Sequence, residues 1–94
     1  MELTEDDISR IVQTLLDAGE TVRKKSIRLD GKTLSFRVLG TDRDGHAAIT
    51  ALRKGGLNWY SDGDFETDEN FTKHTQGAES SLVTMTLRDG GVWK

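Results

Sequence analysis

Two hydrophobic periods divide this chain, and their order restricts it to a fold in which a helix precedes a sheet. Ile8, Ile11, Val12, Leu15 and Leu16 recur at spacings of three and four, the single stripe of an amphipathic helix. From Thr21 the spacing falls to two, with Ile27 and Leu29 before Asp30-Gly31 and Leu34, Phe36 and Val38 after it. That alternation belongs to half-buried strands. The expected class is therefore α+β, an N-terminal amphipathic helix packed on a mostly antiparallel sheet of four or five strands.

Local signals set the ends of these elements. Thr4 is placed to cap the helix with Asp7 at N3 in a capping-box-like arrangement, Leu3 and Ile8 form a hydrophobic staple, and Gly19 supplies the left-handed residue after the last turn. Glu5, Asp6 and Asp7 favour the positive end of the helix macrodipole, so they need no catalytic role. Asp30-Gly31 reads as a two-residue type I′ loop that sets Ile27 opposite Leu34. The other hairpin face then carries Lys24, Arg28 and Arg37, extended by Arg23 and Lys25.

Residues 41–56 fit two patterns. Thr41-Asp42-Arg43-Asp44-Gly45 resembles a turn that returns His46 to Arg53 as a third strand, which is the favoured expectation. The alternative is a short helix over 44–54, alanine-rich and stopped by Gly55 or Gly56. Further on, Leu57, Trp59, Phe65 and Phe71 share one phase, and Tyr60, Asp62, Asp64, Glu66 and Asp68 share the other. A half-buried strand with an acidic outer face accounts for this pattern, and a turn near Gly63 followed by an acidic loop is the alternative. Residues 66–80 read as a long polar connection. Ser81 to Arg88 form the last strand, with Val83, Met85 and Leu87 inward and Thr84 and Thr86 outward. Asp89-Gly90-Gly91 turns the chain so that Val92 and Trp93 return at an edge.

With 94 residues, the chain is expected to form one domain, 1–94. Only 34% of its residues are hydrophobic and 31% are charged, so the core is thin and a homodimer is an expected remedy. The absence of cysteine excludes disulfides, zinc thiolate sites and a cysteine nucleophile, and fits a reducing cytoplasm. The acidic start, Met-Glu-Leu-Thr-Glu-Asp-Asp, is expected to be neither a signal peptide nor an anchor. No stretch approaches the roughly 20 apolar residues that span a bilayer.

Specific chemistry finds little purchase. With Asp62 at the first position of a calcium loop, Thr67 occupies the position that demands glycine and Lys73 the position of the bidentate glutamate. His46 and His74 lack any neighbouring pattern of nucleophile or metal ligand. Phosphate-cradling glycine motifs are absent. The expectation is a non-enzymatic chain with no cofactor and no metal. Charge points to binding instead: residues 21–40 carry six basic and one acidic side chain, and residues 57–79 carry six acidic and one basic. The favoured function is a small regulator or inhibitor that docks Tyr60, Asp62, Asp64, Glu66 and Asp68 on a basic protein surface, such as that of a nucleic-acid-binding protein. The alternatives are a nucleic-acid-binding module using Lys24, Arg28 and Arg37 within the basic hairpin 23–37, and a self-associating structural subunit. With a net charge of −3, nucleic acid is the less favoured partner.

Overall fold

A computed structural model describes residues 4–59, 64–67 and 79–93. The class is α+β, with helices α1 (Glu5–Asp17) and α2 (Asp42–Lys54) and strands β1 (Arg28–Asp30), β2 (Thr33–Leu39), β3 (Asp64–Thr67) and β4 (Ser80–Thr86). Among the described residues the sheet runs β1-β2-β4-β3, and each neighbouring pair is antiparallel.

Helix α1 starts where its capping signals place it. The Thr4 hydroxyl accepts from the Asp7 N–H, and the Asp7 carboxylate accepts from the Thr4 N–H, both at 3.1 Å. These two bonds satisfy donors that a helix start otherwise leaves without partners. They also hold the Asp7 carboxyl below its usual range, chiefly through the Thr4 backbone bond and then the Thr4 hydroxyl. Leu3, the other half of the expected staple, lies outside the described residues. Ile11 and Leu15 are buried and Ile8 and Val12 half-buried, but Leu16 is 49% exposed and does not share the buried stripe.

The expectation of a third strand at 46–53 is overturned, because this segment is α2. Asp44 reaches back to accept from the Thr41 N–H at 2.7 Å and the Thr41 hydroxyl at 3.2 Å, which closes the helix start. Gly45, Ala48, Ile49 and Leu52 follow at helical spacing and are all buried. Their small size matters. Glycine and alanine let α2 approach the sheet closely, and it packs on β2, β3 and β4, whereas α1 packs on α2 and on the turn at 24–26. The N-terminal helix thus reaches the sheet through its long side chains, and α2 is the element laid directly upon it.

The hairpin register also differs from the expected one. Leu29 lies opposite Leu34 and Asp30 opposite Thr33, leaving Gly31 and Lys32 as the loop. An Asp30-Gly31 loop of type I′ would force Asp30 to positive φ. The observed loop needs a positive φ only at Gly31, which has +60°. The change amounts to two residues, so every side chain keeps its face. Below the hairpin the period-two pattern does not persist as a strand. Val22 makes an isolated bridge to Val38, and Lys24–Ser26 coil into a 3-10 turn. The Ser26 hydroxyl pins this turn by donating to the Arg23 carbonyl at 2.8 Å and accepting from the Arg37 N–H at 3.1 Å.

Leu34, Phe36 and Val38 of β2 meet Ser81, Val83 and Met85 of β4 on the helix-covered face. Ile11, Leu15, Ile27, Ala48, Ile49, Leu52, Leu57 and Leu87 complete the core. Leu57 bridges to Trp93 and Trp59 to Leu87, so the chain does return at Trp93, whose ring packs against this core beneath the Arg10 guanidinium, 4.1 Å from the ring centre. The pairings Trp59↔Leu87 and Asp64↔Thr84 differ in register by two residues, so 57–67 is not one uninterrupted ladder. The alternative turn near Gly63 lies outside the described residues.

Candidate functional site

Of the expected acidic row, Asp64 and Glu66 fall on β3, the outermost described strand beside β4. Asp64 lies opposite Thr84 and Glu66 opposite Leu82. Directly opposed residues share a face, and Thr84 and Leu82 in turn oppose Ser35 and Arg37. The two acidic positions therefore occupy the face turned away from the helices, whereas Phe65, opposite Val83, holds a core-face position. Alternation along 64–67 is the one signalled by the sequence. Tyr60, Asp62 and Asp68 lie outside the described residues, as do Phe71 and His74.

The basic residues do not form the single hairpin stripe that was expected. Lys24 sits on the 3-10 turn and pairs with Glu5 of α1 at 3.3 Å; both side chains are largely exposed, so the pair contributes little stability. Arg28 bends back to donate to the carbonyls of Lys25 at 2.6 Å and Ile27 at 3.1 Å. Arg37 lies mid-sheet on β2, half-buried. Arg28 opposes Ser35, so Arg28 and Arg37 are diagonal neighbours on the outer face, and Lys24 is set apart from them. One row across that face reads Arg28, Ser35, Thr84, Asp64, passing from a basic edge to an acidic one.

His46 lies exposed in the first turns of α2. Among the described residues no three of His, Cys, Asp and Glu are grouped as a metal site would require.

A further feature had no counterpart in the sequence. Arg53, Gly56, Leu57, Asn58, Trp59 and Arg88 line a pocket of about 240 Å³ where the end of α2 meets the turn after β4. Its backbone frame is fixed: the Leu57 N–H donates to Leu52 O at 3.0 Å, the Asn58 N–H to Val92 O at 3.2 Å, and the Arg88 N–H to Asn58 O at 3.1 Å. The Arg53 guanidinium lies 5.4 Å from the centre of the Trp59 ring. Arg53 and Lys54 stand in the last turn of α2, where basic residues complement the helix dipole, and nothing in the sequence links Arg53 to Arg88.

Glu20 is buried, and desolvation followed by the nearby Asp44 charge raises its carboxyl above the usual range. The folded state holds this proton more tightly than the unfolded chain, so Glu20 favours folding at acid pH. That contribution disappears as pH rises through the raised value. Glu20→Gln is accordingly expected to raise the thermal midpoint at pH 7 and to lose this advantage below about pH 4, where both states are protonated. Midpoints for wild type and variant that coincide at pH 7 would contradict it.

No protein-family model, curated protein or solved structure matches this chain.

Proposed function

We propose that this chain is a small non-enzymatic regulator or inhibitor that acts by docking an acidic surface around β3 on a basic partner protein. The observation that supports this reading best is the register of β3, which sets Asp64 and Glu66 at alternate positions on the outermost described strand, on the face away from the helices. Tyr60, Asp62 and Asp68 continue the same alternation in the sequence. Carboxylates carried on a strand meet a basic surface with little ordering cost, accelerate encounter and repel acidic competitors. An edge strand also offers main-chain donors and acceptors to an incoming segment. A partner whose own basic surface binds nucleic acid fits this charge, and such docking would block it.

The test compares wild type with a variant carrying Asp62→Asn, Asp64→Asn, Glu66→Gln and Asp68→Asn, both immobilised and exposed to cell extract at low salt. Basic proteins held by the wild type, released as ionic strength rises past roughly 0.15 M, and not held by the variant are the expected result. Identical retention by both forms would refute the proposal.

The second reading, nucleic-acid binding, draws on the diagonal pair of Arg28 and Arg37. Salt-dependent retention on heparin that is lost in Arg28→Glu would favour it. A homodimer in the cytoplasm belongs to the same proposal, since a thin core gains from association. Among the described residues no helix is long and apolar enough to cross a membrane.

A further inference from the structure

We propose that the pocket between the end of α2 and the turn after β4 binds a small phosphate monoester. Four of the residues that line it carry hydrogen-bond donors in their side chains: Arg53, Arg88, Asn58 and Trp59. Among the described residues, none of these donors has a hydrogen-bond acceptor, and the indole nitrogen is buried without one. A buried donor left unmade is costly, and native structures keep few of them. Among the described residues no carboxylate lines the pocket, although acids outnumber bases in the chain, 16 to 13. Two guanidinium groups and further donors around one pocket, with no carboxylate among the described lining residues, describe a site for an acceptor-rich anion.

The chemistry favours phosphate over carboxylate. Two guanidinium forks offer paired N–H groups, and a phosphate monoester presents three acceptor oxygens with about −1.5 to −2 charge at neutral pH, whereas a carboxylate presents two oxygens and one charge. The Arg53 guanidinium lies 5.4 Å from the centre of the Trp59 ring, a cation–π contact that leaves its N–H groups able to donate. Arg88 is anchored through its own N–H to the Asn58 carbonyl. Against binding stands the negative end of the α2 dipole, equivalent to about half a charge. Two full positive charges outweigh it. At about 240 Å³ the pocket falls below the ordinary range for drug-sized ligands, so the organic part of the ester is small.

The test titrates the full chain with phenyl phosphate, inorganic phosphate and sodium acetate at constant ionic strength, read from the indole and side-chain amide signals in 1H–15N spectra. Saturable shifts of the Trp59 indole and the Asn58 amide by phenyl phosphate are expected, with affinity at least about tenfold above that for acetate. Arg53→Ala and Arg88→Ala are each expected to weaken binding about tenfold, as for a lost charge-assisted hydrogen bond. Arg53→Lys, which keeps the charge without the fork, should fall between. Both arginines are exposed, so the variants should retain the wild-type spectrum elsewhere. Inorganic phosphate binding as tightly as phenyl phosphate would assign the site to free phosphate and overturn the ester. Acetate binding as tightly, no saturation, or full affinity in both alanine variants would overturn the site altogether. The acidic-row variant should bind phenyl phosphate normally, so failure here and failure of the proposed docking function are separable.

Discussion

Phe36→Ala is expected to lower the stability of the folded chain by about 3–5 kcal/mol. Phe36 is fully buried, sits on the central strand pair opposite Val83, and lies on the face covered by α2. Removing the ring leaves a cavity that neighbours in β-strands cannot readily collapse into, so the lost transfer energy and the cavity penalty add. A chain of this length has a total stability of about 5–14 kcal/mol, and the substitution therefore removes a large share. Urea denaturation followed by circular dichroism should show the midpoint falling with little change in slope. A loss under about 1 kcal/mol would mean that the β2–β4 core is packed differently. Phe36→Leu, which retains most of the apolar volume, should cost much less.

Gly40→Ala is expected to cost about 2–4 kcal/mol although it adds a single methyl group. Gly40 has φ +132°, a conformation that L side chains rarely adopt. A Cβ there would enter the space of the Asp44 carboxylate, the group that accepts from the Thr41 N–H at the start of α2. The methyl group and the cap cannot coexist. Backbone strain contributes about 1–3 kcal/mol and the displaced cap about 0.5–2 kcal/mol. The position is further fixed by the Gly40 N–H donating to Glu79 O at 2.7 Å and by its carbonyl accepting from the Ser81 hydroxyl at 3.1 Å. Because the displaced cap passes through Asp44, Gly40→Ala combined with Asp44→Ala should cost less than the sum of the single changes. Strict additivity in thermal denaturation would show that the carboxylate is not involved.

These residues also show where the sequence was legible. Helix α1 was readable because its signals are local: Thr4 and Asp7 cap it, and Ile11 and Leu15 mark its buried side. Leu16 misled because a helix packed mainly on one other helix buries a narrower stripe than its apolar residues define. Helix α2 was misread because its buried positions, Gly45 and Ala48 among them, are too weakly hydrophobic to display their period, and Asp42 to Gly45 imitates a turn. Period two placed the side chains of β2 and β4 on the correct faces, but it carries no information on which strand lies beside which. The two-residue difference in the hairpin followed from the same limit, since it leaves every face unchanged. At the acidic stretch, the alternation of Asp64 and Glu66 was readable, whereas their place on the outermost described strand depends on long-range pairing. The pocket was invisible because Arg53, Asn58 and Arg88 come together only through tertiary structure, and no spacing along the chain announces that meeting.

The order β1-β2-β4-β3 bears on how the chain reaches its native state. The seven pairs that join β2 to β4 link residues roughly forty to fifty positions apart, and proteins dominated by such distant contacts fold slowly compared with helical ones. Closing that separation comes first and is rewarded late, because α2 and β3 acquire their packing surface only when β4 has docked. The central ladder thus makes assembly slow, and the register of β3 against β4 is set only after the widest separation in the described sheet has been closed.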